Sequence, residues 1–138
     1  MIFIIDTNIV FSALVKDSDT RKLLIDSSFS LYAPETMIIE IRKYEDLIIE
    51  KSRLTKNDFE LLFNLLIENI KIIEKELYIN KLKEADKIIG NIHKGDVPFI
   101  ALALSITNDG IWSEDKHFEV QDNVKVWKTK EVIKLITK

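Results

Sequence analysis

Cysteine is absent from the 138 residues, which removes disulfides, thiolate zinc sites, iron–sulfur clusters and thiol nucleophiles together. Three Gly and two Pro are too few for linkers, collagen-like repeats or a glycine-rich phosphate loop. No apolar run approaches the roughly 18 residues that a membrane span needs. The start, Met1-Ile2-Phe3-Ile4-Ile5, has no basic region before its apolar stretch and does not read as a secretory signal. A soluble, cytoplasmic protein with no membrane partner is the expectation. Basic residues are also in short supply: 20 against 23 acidic ones, a net charge of −3, which gives no nucleic-acid footprint. What remains is 46% hydrophobic and 31% charged, the proportions of a globular protein, at a length that suits one domain over residues 1–138.

Short apolar runs alternate with longer helical segments, the pattern of an α/β domain with a mainly parallel sheet. Ile2–Ile5 reads as a strand buried on both faces, and Asp6-Thr7-Asn8 then opens a helix to about Val15. A short helix near Arg21–Asp26 and a strand near Ser30–Ala33 follow. Pro34 is expected to begin a helix over Glu35–Lys51, in which Met37, Ile41, Tyr44 and Ile48 share one stripe, with Glu40 at its edge and Ile39 opposite. Thr55-x-x-Asp58 has the form of a capping box before the apolar run Phe59–Ile70. A strand at Lys71–Glu74, an amphipathic helix over Glu76–Ile89 stopped by Gly90, and a loop at Asn91–Gly95 come next. The residues from Val97 to Leu104 are apolar on every side, as in a buried helix. Strands at Ile111–Ser113 and Lys125–Trp127, and a helix capped by Thr129, complete the chain.

In an open parallel sheet, ligands bind beyond the carboxyl ends of the strands. Asp6 and Asp115 follow strands, Asp96 heads the buried helix, and Glu40 borders a core stripe. Brought together, four carboxylates would repel unless a cation compensated them. Hard divalent ions, Mg2+ or Mn2+, favour carboxylate and water oxygens, which fits a chain without Cys and with two His. Each acid also has an ordinary structural reading: Asp6 and Asp96 as helix N-caps, Glu40 as a solvated side chain, Asp115 as a turn residue. His93 and His117 read as loop residues, with contact to a phosphate or proton transfer as the alternative role.

The strand running into Asp6-Thr7-Asn8, the helical Glu40, the block Gly95-Asp96-Val97-Pro98-Phe99-Ile100-Ala101-Leu102-Ala103 and the block Trp112-Ser113-Glu114-Asp115-Lys116-His117-Phe118 resemble PIN-domain nucleases in order and spacing. The last two blocks together are the most specific part of the likeness. The resemblance implies a three-layer α/β/α sandwich and a Mg2+- or Mn2+-dependent ribonuclease acting on RNA. Carried over by position, Asp6, Glu40, Asp96 and Asp115 would be the catalytic, metal-binding acids. Asn8 would orient Asp6 or a bound water, and Ser113 would stand where the family often has Thr. Glu114 departs from the usual Asn or Gly and adds an acid that would compete for metal. Glu35 and Glu45 are rivals to Glu40.

Many small prokaryotic members are VapC-type toxins restrained by an antitoxin protein, so an antitoxin and a second copy of the chain, as a homodimer, are implied partners. Ile39, Phe59 and Phe63 would serve either the dimer or the core. Lys16, Arg21, Lys22, Arg42, Lys43, Lys94 and Lys116 would form a basic rim for phosphates, or plain surface. Two other functions remain open at this point: a non-catalytic scaffold of the same fold that binds RNA or protein, and a flavodoxin-like receiver domain.

Overall fold

Residues Ile2–Ile5 form β1, buried on both faces beyond its first residue, because a parallel sheet flanked by helices leaves no face for polar side chains. β2 (Ser30–Pro34), β3 (Ile70–Ile73), β4 (Gly110–Trp112) and β5 (Val126–Trp127) complete the sheet. In the computed structural model, which describes residues 1–25 and 28–136, the strands run in the order β3-β2-β1-β4-β5, and every pairing is parallel. The chain winds outward from β1 to β3, then returns to the other side of β1 with β4. The switch point therefore lies between β1 and β4, where such sheets bind ligands. A receiver would show the order 2-1-3-4-5, so that alternative falls.

The crossovers that join parallel strands carry the helices. One helical group comprises α1 (Thr7–Val15), α2 (Asp19–Ile25), α3 (Thr36–Lys43), α4 (Glu45–Ser52) and α5 (Lys56–Glu68), with α1 touching all the others. The return crossover carries α6 (Lys75–Tyr78), α7 (Leu82–Ala85) and α8 (Val97–Ser105), and α8 packs on β1, β2 and β4. As expected of a helix apolar all round, α8 buries Phe99, Ile100, Ala101, Leu102 and Ala103. The last helix, α9, spans Thr129–Ile136.

Several sequence expectations need correction. Pro34 ends β2 instead of opening a helix, pairing with Ile73, since its fixed φ also suits an extended strand end. The single helix over Glu35–Lys51 is two helices broken at Tyr44, whose N–H is shared between Glu40 O at 3.3 Å and Ile41 O at 3.2 Å. Arg42 and Lys43 close the first and Glu45 and Asp46 open the second, each sign of charge suiting its helix end. Tyr44 leaves the core stripe as a result and is 46% exposed. Over Glu76–Ile89 the buried positions Tyr78, Ala85 and Ile89 keep helical spacing, but the backbone passes through α, 3-10, α and π turns. Thr129 is not a cap: it accepts a hydrogen bond from the Trp112 indole at 3.0 Å, and Glu131 takes the Lys128 N–H at 3.0 Å. β3 and β4 each begin one residue earlier than expected, and β5 is one residue shorter at its start. Asp26 lies outside the described residues. The Thr55 cap is present, accepting from Asp58 N at 3.1 Å.

Phe59 and Phe63 belong to the core, stacked with ring centres 5.8 Å apart, whereas Ile39 is 65% exposed. At the start of β4, Gly110 has a φ of +138°, and a Cβ there would press on the Lys125 carbonyl and the Trp127 indole. Gly110→Ala is therefore expected to lose on the order of 2 kcal/mol of stability, measured by urea denaturation. Wild-type stability in this variant would contradict the packing described for β4 and β5.

Candidate active site

Ile5 pairs with Trp112 across β1 and β4, so the next residues, Asp6 and Ser113, emerge side by side at the switch point. The Asp6 N–H still bonds Trp112 O at 3.1 Å, which fixes the carboxylate over the sheet edge. Ser113 Oγ, fully buried, donates to Asp6 Oδ2 at 2.6 Å and accepts from Asp115 N at 2.9 Å. One hydroxyl thus ties the first candidate acid to the turn that carries another. Asp6 occupies the N-cap position of α1, but its side chain makes no capping bond. The same is true of Asp96 at the start of α8.

Asp6, Glu40, Asp96 and Asp115 all line one cavity of about 350 Å3, together with Thr7, Asn8 and His93. Its other wall is apolar, formed by Phe11, Ile41, Tyr44, Leu47 and Phe99. Glu40 accepts from Thr7 Oγ1 at 2.9 Å. The rivals to Glu40 are engaged elsewhere: Glu35 accepts from Lys75 N at 3.3 Å, and Glu45 pairs with Arg42 at 2.6 Å. The Asn8 side chain donates to Asp115 Oδ2 at 3.3 Å, while its backbone N–H lies against the Asp6 carboxyl and favours its charged form. Asp115 is a turn residue as well, taking the His117 N–H on Oδ1 at 3.0 Å. Glu114 turns away and accepts from Thr129 N at 2.6 Å, so it adds no acid to the cavity.

Burial pushes the Asp6 carboxyl from the ordinary 3.8 up to about 7; the Ser113 bond opposes this, while Asp96 and Asp115 add to it. Asp96 is raised by burial, with His93 opposing, and Glu40 is raised by burial, with Thr7 opposing. Three acids that resist ionisation around one cavity form a site that a cation would relieve. The donor set fits a hard divalent ion, since carboxylate oxygens predominate.

The sequence favours loop residues for both histidines, with a phosphate contact or proton transfer as the alternative, and in the structure both reach this site. His93 Nδ1 lies 3.3 Å from Asp96 Oδ1, and His117 Nδ1 lies 3.4 Å from Asp96 Oδ2 and 3.2 Å from Asp115 Oδ1. The usable signal was spacing: the two histidines of the chain stand three and two residues from a candidate acid. The basic rim is thinner than the sequence suggests. Arg21 donates to the Ala13 and Leu14 carbonyls at the end of α1. Arg42 bonds Glu45 and Glu60 and lies over Phe63, and Lys94 pairs with Asp86 at 2.8 Å. Lys43 is felt by Glu40.

An acid that holds its proton more tightly when folded than when unfolded costs stability as pH rises between the two values. The metal-free protein is therefore expected to lose stability between about pH 4 and pH 7, by at most about 4 kcal/mol from Asp6. Asp6→Asn should remove most of that fall. Denaturation with chelator present at several pH values checks this; an unchanged slope in Asp6→Asn contradicts it.

Comparison with known proteins agrees with this geometry. No curated protein matches the chain. The family model described as PIN domain matches residues 4–136. PIN domains are generally metal-dependent nucleases, and an α/β fold with acids gathered at the carboxyl edge of a parallel sheet is what this chain presents. With nearly its whole length matched, the chain belongs to the PIN-domain family.

Proposed function

We propose that the protein is an endoribonuclease that hydrolyses RNA phosphodiester bonds with Mg2+ or Mn2+ bound among Asp6, Glu40, Asp96 and Asp115, in a single nuclease unit spanning residues 1–138. The observation that carries this reading is the convergence of those four acids, from four separated stretches of sequence, on one cavity. A divalent ion bound there would make water nucleophilic at neutral pH and offset charge at the reacting phosphorus. The protein's own part is positioning. Ser113 holds Asp6 and the Asp115 turn, Asn8 holds Asp115, and Thr7 holds Glu40. Glu40 acts through its free oxygen or an intervening water, because Oε1 is already taken by Thr7.

The apolar wall of Phe11, Tyr44 and Leu47 suits the faces of unpaired bases, which RNA offers in its single-stranded regions. The chemistry is the same whether the enzyme works alone or as a VapC-type toxin held in check by an antitoxin. Partners in this reading are RNA as substrate, an antitoxin protein and a second copy of the chain. Exposed Ile39, Leu61 and Leu65 supply apolar surface for the second copy.

The test is cleavage of RNA by the purified protein with Mn2+ or Mg2+. Asp6→Asn and Asp96→Asn are each expected to lower the rate by about a hundredfold or more while the folded protein survives. Metal binding with no cleavage by the wild type would favour the scaffold reading. Full activity in both variants would end the nuclease assignment.

A further inference from the structure

The carboxylate pocket also carries donors of different chemistry: His93 and Asp96 line it, and His117 stands against Asp96. We propose that His93, Asp96 and His117 form a binding site for a borderline transition-metal ion of the Zn2+, Co2+ or Ni2+ class. One ligand atom from each of the three residues lies within 4.8 Å of the other two. The Nδ1 of His93 is 3.3 Å from one Asp96 oxygen, and the Nδ1 of His117 is 3.4 Å from the other. Bonds of about 2.0–2.1 Å in tetrahedral array separate neighbouring ligand atoms by about 3.3 Å, close to both of these separations, which run to the two different oxygens of Asp96.

A second observation points to a ligand. Asp96 is only 5% exposed, and its Oδ2 and the Nδ1 of His117, both buried, have no hydrogen-bond partner. A carboxylate oxygen and a ring nitrogen withdrawn from water with no geometry for a bond between them are costly to leave so. A cation shared by both removes the cost. The two imidazoles are stacked with ring centres 4.7 Å apart and planes 20° from parallel, each Nδ1 facing a different oxygen of the same carboxylate, so one ring must turn for both lone pairs to meet a single ion. Each ring is also partly open to solvent, which leaves room for water to complete the coordination of an ion.

The donor types decide which ion. Imidazole nitrogen suits Zn2+, Ni2+ and Cu2+, whereas carboxylate, carbonyl and water suit Mg2+, Ca2+ and Mn2+. Two nitrogens and one oxygen therefore select against Mg2+, and Asp96 is the one residue common to this set and the pocket acids. RNA hydrolysis does not require the nitrogen set, so the inference holds whether or not the pocket cleaves RNA.

The experiment uses the full chain stripped with chelator. Zn2+ is titrated in competition with a chromophoric chelator, and Co2+ is followed by its visible absorption. One Zn2+ is expected to bind, with millimolar Mg2+ unable to displace it. His93→Gln and His117→Gln should each weaken binding by about tenfold or more, while Asp6→Asn should leave it within about threefold, since Asp6 is outside this donor set. Both histidines are partly exposed, and far-UV circular dichroism checks that the variants fold. Unchanged Zn2+ affinity in the double histidine variant would overturn the proposal, as would a loss in Asp6→Asn equal to that in the histidine variants, which would place the ion among the carboxylates. Binding is read without RNA, so failure of this site and failure of the nuclease are separate results.

Discussion

The contact between Asp6 and Ser113 at the end of β1 and β4 sets the terms for the rest of the molecule. Parallel register places the two residues side by side, and the surrounding helices exclude the water that an ionised carboxylate wants. A single buried hydroxyl is the side-chain donor available to Asp6, and that hydroxyl also receives the Asp115 amide. Around it, Asp96, Asp115 and Glu40 bring more negative oxygens than the neighbouring Thr7, Asn8 and Ser113 can satisfy. The fold thus holds a concentration of charge that hydrogen bonding alone does not neutralise.

The topology explains why this spot and no other carries it. The sheet order is one that doubly wound folds use to bind phosphates at the turn after the first strand, with glycines that let the backbone approach. Here Asp6-Thr7-Asn8 fills that turn, so the same crevice presents carboxylate in place of bare N–H groups. An architecture that elsewhere cradles an anion directly becomes one that attracts a cation first. The buried helix α8 then delivers Asp96 from the opposite layer, and the broken helix pair α3–α4 delivers Glu40 while turning Tyr44 outward.

Much of this was legible in the sequence because burial on every side leaves an unmistakable run of apolar residues. Ile2–Ile5 and Val97–Leu104 are such runs, and the acids that end or begin them were thereby tied to the core. The break at Tyr44 was not read, although the basic pair Arg42-Lys43 followed by acidic Glu45-Asp46 is the charge pattern of one helix ending and another starting. The π and 3-10 turns after Lys75 keep the buried face in step, so periodicity could not reveal them. Pairings such as Asn8 with Asp115, Glu114 with the start of α9, and the stacking of His93 on His117 depend on loop geometry across distant stretches of chain. Periodicity carries no information about them.

If uncompensated carboxylate charge is the central feature, a divalent ion should stabilise the fold itself. Thermal unfolding above neutral pH, with and without Mn2+, measures this most directly. At a hundredfold excess over the dissociation constant, stabilisation of about 2.7 kcal/mol is expected, and it should largely vanish in Asp6→Asn. An unfolding temperature indifferent to Mn2+, or an equal rise in Asp6→Asn, would contradict the account.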